Sequence, residues 1–188
     1  MKGVSGTGRI AILALVLWVV IEIALFISLA GDLGHWLSDR VLAWAVLTAM
    51  AGAVVVPVLF LIWLHDAMTR AHELGWHPAM SPGWAVGWFF VPVASLWKPY
   101  QVMIAVWESS GNTDDGRVGR WWTAWLFFTG FTTLIWVAGP ADGNLTNGQV
   151  LCIFASSLLG AITAIMLALI IRKIDQTQKR AIDTQAFD

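Results

Sequence analysis

The chain has 188 residues, 58% of them hydrophobic and 12% charged, with a formal net charge of −1. That balance marks an integral membrane protein and excludes a basic nucleic-acid binder or a disordered tail. The single Cys152 supports neither a disulfide framework nor a metal site, and in its apolar run it reads as a buried, inert thiol.

Lys2 and Arg9 precede an apolar run, 10–30. Ser28-Leu29-Ala30 has the small-x-small form of a cleavage site, so a signal peptide must be weighed. The run exceeds the roughly 7–15 residues of a signal-peptide core and carries Glu22, and we read it as a retained first span. A polar loop, Gly31 to Arg40, leads to a second span over 41–64. Ala45, Ala49 and Ala53 recur four apart, a small-residue stripe that admits a close helix neighbour. Pro57 should kink this helix. Beyond it the helix continues to Leu74, with Gly75 as a C-terminal cap and Asp66 and Arg70 spaced to pair.

Residues 81–110, SPGWAVGWFFVPVASLWKPYQVMIAVWESS, decide the topology. Ser81-Pro82 is a helix start, because proline at the first helical position loses no hydrogen bond. Pro92 then breaks the helix, and Lys98-Pro99 repeats the break and adds a charge. A lysine at the centre of a lipid-facing span is costly, and freed backbone groups at membrane depth need cover. The expectation is two short helices around a Pro92–Pro99 elbow, re-entrant or interfacial. A kinked full span is the alternative.

A polar loop, Gly111 to Gly119, follows, then an Arg120-Trp121-Trp122 boundary anchor and a third span over 120–138. The loop Ala141 to Gly148 has no Lys or Arg. The last span covers 149–171, with Gly160, Ala164 and Ala168 as a second small-residue stripe, and a polar cytoplasmic tail fills 172–188. Thirteen Trp against one Tyr is a skew toward the membrane boundary, where Trp18, Trp36, Trp44, Trp63, Trp107, Trp121 and Trp122 fall.

Basic residues then favour one topology. If the elbow does not cross, ten of the 11 Lys and Arg lie inside and only Arg40 outside. If it crosses with the N-terminus inside, seven lie outside against three inside; turning that five-span arrangement over gives seven inside and three outside, so four spans at ten to one fit the rule best. The expectation is an all-α membrane protein: a single domain of four transmembrane helices with both termini cytoplasmic, plus a Pro-broken element on that side.

Three constellations could carry chemistry. Glu22 lies about 12 Å below the outer end of its span, level with Thr48, Thr132, Thr133, Ser156 and Ser157. This layer is either an ion, proton or solute site or a protonated glutamate bridged to neighbouring hydroxyls, the commoner arrangement. His65 and His72 share a helix face, with Asp66, Glu73 and His77 nearby, but lack the i, i+4 ligand spacing, so a solvated face outweighs a metal site. Lys98 beside Trp97 and Tyr100 could bind lipid phosphate or anchor at the headgroups by snorkelling. Asn144-Leu145-Thr146 matches a glycosylation acceptor in the outer loop. No Gly-rich phosphate loop, nucleophile elbow or paired-carboxylate motif is present.

Ser81-Pro82-Gly83-Trp84, Gly87-Trp88-Phe89-Phe90-Val91-Pro92 and Lys98-Pro99-Tyr100-Gln101 together resemble the signature of bacterial integral membrane proteins of domain-of-unknown-function family 4328. Glu108 and the Trp121-Trp122 pair fit it as well, while Ala94-Ser95 stands where that pattern carries an Asn. The resemblance covers most of the chain and implies a bacterial inner-membrane location, with no activity attached.

Three functions are expected to compete. The first is a non-enzymatic module that binds a protein or lipid partner, or a second copy, through Trp84, Trp88, Pro92, Trp97, Lys98, Pro99, Tyr100 and Gln101. The second is a small transporter or channel built on the Glu22 layer. The third is a membrane enzyme acting on a lipid-like substrate. No cofactor and no nucleic-acid partner is expected.

Overall fold

A computed structural model of the chain describes residues 4–30, 39–113, 115–139 and 147–185. Among these, all regular structure is helical: α1 (Gly6–Ala30), α2 (Asp39–Glu73), α3 (Pro82–Gly87), α4 (Lys98–Ser109), α5 (Arg117–Val137) and α6 (Asn147–Gln185). Two 3-10 turns, Trp88–Phe90 and Ala94–Leu96, join α3 to α4. Trp36, the Asn144 triplet and the side chains of Ala45 and Ala49 lie outside the described residues.

The helix ends follow local chemistry. Gly75 and Gly111 take positive φ, 76° and 73°, and close α2 and α4 with paired backbone bonds. In α2 these run from Gly75 N–H to His72 O and from Trp76 N–H to Ala71 O, the double bond that satisfies terminal carbonyls. Pro82 opens α3 at its first turn, and Ser81 sits at the cap position without a side-chain bond. Pro99 does not break a helix; it lies in the first turn of α4, where proline is accepted, and is buried.

The long helices pack in the order α2, α1, α6, α5, and the α3–α4 hairpin fills the space between α2 and α5 at one end. Glycines set two of these contacts. A Cβ on Gly52 would lie 3.7 Å from the Trp18 ring, in ordinary contact, and one on Gly160 would lie 3.0 Å from the Phe128 ring, tighter than a side chain is usually held. In the second stripe Ala164 and Ala168 pack on the core, whereas Ala53 of the first is exposed.

Three helices are long and apolar enough to cross a membrane, over Gly6–Leu25, Met50–Glu73 and Leu151–Gln185. At most 22% of each apolar window is buried, so most of each span turns outward, as lipid contact requires. α5 has span length, 21 residues, but Arg117, Arg120, two glycines and four threonines lower its apolarity below that class.

The core is concentrated at one end. Trp63, Leu64, Ala67 and Met68 of α2 meet Val102, Met103 and Val106 of α4, with Trp121 and Trp122 of α5 and Ile171 and Ile174 of α6. Trp63, Trp107, Trp121 and Trp122, expected as boundary anchors, are therefore interior residues, each at most 6% exposed. All four belong to the core cluster that the helices share, which offers them more apolar contact than an interface does. Trp44 is 70% exposed. The expected polar tail is also revised: α6 runs unbroken to Gln185, and Ile174, Asp175 and Gln178 are buried.

Candidate functional site

The elbow begins with α3, whose buried Ala85 packs on α2. The chain then passes through the first 3-10 turn to Pro92. Ala94 N–H donates to Pro92 O at 2.7 Å around Val93, whose φ and ψ are 67° and −52°. That is a γ-turn of the rarer, strained hand, held here by a β-branched residue. Val93 gains little from burial, for it is largely exposed. Strain of this kind persists only where neighbouring structure imposes it.

That structure is aromatic. Phe89 meets Phe60 of α2 edge-on at 5.8 Å, and Phe60 faces Trp121 of α5 at 6.4 Å. Trp122 stacks on Trp125 at 4.7 Å and meets Trp121 at a tilt at 5.6 Å. The Trp122 indole N–H donates to Leu96 O at 3.1 Å, tying the elbow to α5. Phe60 is thirteen residues short of Glu73, so the elbow reaches about 20 Å back from the end of α2.

The tip turns a set of apolar side chains outward: Phe90 71%, Val93 68%, Leu96 56% and Trp97 46% exposed. Trp84 and Trp88 pair at 5.1 Å, and Lys98 Nζ lies 5.0 Å above the Trp88 ring. The expected elbow residues thus divide. Trp84, Trp88, Trp97 and Lys98 gather on the outer side, Pro99 is buried at the root, and Tyr100 packs at 3.9 Å from where a Cβ on Gly119 would lie. Pro92 and Gln101 are exposed.

A second constellation lies behind the elbow, and reasoning on the sequence missed it. The Asp175 carboxylate is wholly buried. Its Oδ1 accepts the Trp63 indole N–H at 3.1 Å and an Arg70 guanidinium N–H at 2.9 Å. Its Oδ2 accepts the Ser5 backbone N–H at 3.1 Å and the Ser5 hydroxyl at 2.8 Å. Gln178, one turn on, accepts from Arg70 Nε at 2.9 Å and donates to Ala67 O at 2.8 Å. Arg70 therefore joins α2 to α6 and does not pair with Asp66, which lies 3.8 Å from His65. Gly8 makes room for this: a Cβ there would overlap Asp175 Oδ2. A usable signal existed, since Asp175 and Gln178 continue the apolar Leu167, Ile171, Ile174 face at helical spacing.

Four of the five hydroxyls of the Glu22 layer bond within their own helices. Thr48 donates to Trp44 O, Thr133 to Thr129 O, and Ser156 and Ser157 both to Ile153 O. Thr132 Oγ1 is buried with no partner among the described residues. His72 Nδ1 lies 2.9 Å from Met68 O on its own helix, and among the described residues no three metal-ligating side chains converge.

Three apolar helices of crossing length around a proline-broken aromatic hairpin define a helical domain of the membrane-protein class. The chain belongs to the family described as Domain of unknown function (DUF4328), which matches residues 32–176, from ahead of α2 into the buried end of α6. No curated protein and no solved structure matches it.

Proposed function

We propose that this protein is a four-span, non-enzymatic module of the bacterial inner membrane, with both termini cytoplasmic. Its elbow is a re-entrant wedge that engages the lipids of the cytoplasmic leaflet. One observation supports the reading: the side chains most exposed at the elbow's tip, Phe90, Val93, Leu96 and Trp97, are apolar or aromatic, and the turn that carries them is braced through Phe89 on Phe60 of the apolar helix α2. In water such a patch is unfavourable; in the interface it is solvated by acyl chains, and tryptophan and lysine are the residues that suit the headgroup boundary. The aromatic struts and the strained turn hold the wedge in one shape. Four of the five layer hydroxyls bond to their own helices, Thr132 being the exception, and this favours the elbow over the Glu22 layer as the interacting part.

The test is depth. A nitroxide at Val93→Cys, in a Cys152→Ser background in vesicles, should collide more with oxygen than with a water-soluble nickel complex. A reverse order would remove the wedge. Labelling of intact cells with an impermeant thiol reagent should reach a cysteine at Gly143 and neither Gly111 nor Gln185. Labelling at 111 and 185 alone would make the elbow a crossing and return transport to first place.

A further inference from the structure

A shallow, open groove runs along the outer face of α5 and serves neither the wedge nor the Asp175 cluster. It has two contiguous stretches of about 640 and 410 Å³ that share Thr123 and Phe127. The first lies over Gly119, Arg120 and Ala124 and touches Leu159 of α6. The second continues over Gly130 to Leu134. Its walls are almost wholly apolar, apart from one end. There the exposed Arg120 has no ion pair among the described residues, and the nearby Asp115 carboxylate is held by Arg117 at 2.7 Å. The Tyr100 hydroxyl, over Gly119, likewise makes no hydrogen bond among them.

We propose that this groove is a binding site for one anionic phospholipid of the cytoplasmic leaflet. Arg120 and the Tyr100 hydroxyl hold its phosphate, and an acyl chain lies along Thr123, Phe127 and Gly130. The dimensions agree. Ten residues separate Arg120 from Gly130, about 15 Å of helix, which is half of a hydrocarbon core about 30 Å thick. Charge selects the occupant: a guanidinium at the mouth of an apolar groove matches a phosphate attached to a chain. A second copy of the protein suits it less. Two copies in the same membrane orientation share an axis along the membrane normal, and that axis would set Arg120 against Arg120. The inference rests on α5 lying in the bilayer, and so on the four-span reading.

The experiment uses the full chain in nanodiscs with phosphatidylglycerol or phosphatidylcholine carrying a diazirine in one acyl chain, with labelled sites mapped by mass spectrometry. Phosphatidylglycerol should label residues 123–134 preferentially. Arg120→Gln should lower that preference about fivefold, the scale of one interfacial cation on an anionic surface. Arg120→Lys should keep most of it, and Thr123→Trp should block labelling by both lipids. Arg120 and Thr123 are exposed, so neither change threatens the fold. An unchanged preference in Arg120→Gln, labelling spread evenly over the exposed faces of α1 and α2, or a cross-link between two chains at Thr123 would each overturn the site and leave the spans standing. Acyl labels on α1, α2 and α6 with none on α5 would overturn the fourth span as well.

Discussion

Asp175→Asn is the sharpest test of how the helices are joined. The carboxylate accepts four hydrogen bonds, two through each oxygen, from α2 and from the start of α1. An amide keeps one acceptor and puts an N–H₂ against donors, so at least one buried donor pair loses its partner. Breaking a buried ion pair costs about 3–5 kcal/mol. Arg70 is 21% exposed, so water recovers part of the loss, which places the cost near the lower end, about 3 kcal/mol. For a chain of this size that lowers the melting temperature by about 6–12 °C. The assay is thermal unfolding in one detergent, followed by near-ultraviolet dichroism of the buried tryptophans. The double variant Arg70→Met, Asp175→Leu removes both charges and should recover the ion-pair part of the loss and no more, because the Trp63 and Ser5 donors stay without their acceptor. A variant melting within about a degree of the parent, or a double variant as damaged as the sum of the two singles, would refute the claim that this pair holds the α2–α6 junction.

Three further outcomes follow from the same packing. Gly8→Ala places a methyl on Asp175 Oδ2 and should cost about 1–3 kcal/mol, with faster amide exchange at residues 5–9; unchanged exchange there would show that α1 is not seated on Asp175. Val93→Gly relieves a β-branched residue at φ 67° and should raise the melting temperature by a few degrees, about 1 kcal/mol; a drop would mean the turn is not strained. Trp122→Phe keeps an aromatic ring but loses the bond to Leu96 O and part of the buried indole volume, costing about 1–3 kcal/mol and loosening the elbow; amide exchange at residues 93–97 as slow as in the parent would show that the bond does not restrain it.

Composition and apolar runs determined the class by themselves, because a helix that meets lipid must be apolar along its length and so is written in consecutive residues. The ends of α2 and α4 were legible for a similar reason: Gly75 and Gly111 act on their own turns. The proline-rich stretch announced a break, although Pro99 starts a helix where it was expected to interrupt one. What the sequence alone left open depends on residues far apart in the chain. Asp175 looks like one more charge in a polar tail until Ser5, Trp63 and Arg70, as many as 170 positions away, converge on it. The interior tryptophans and the outward face of the elbow are of the same kind. Side-chain chemistry was visible from the start, but which face of each helix meets another helix and which meets lipid is decided only when the elements pack.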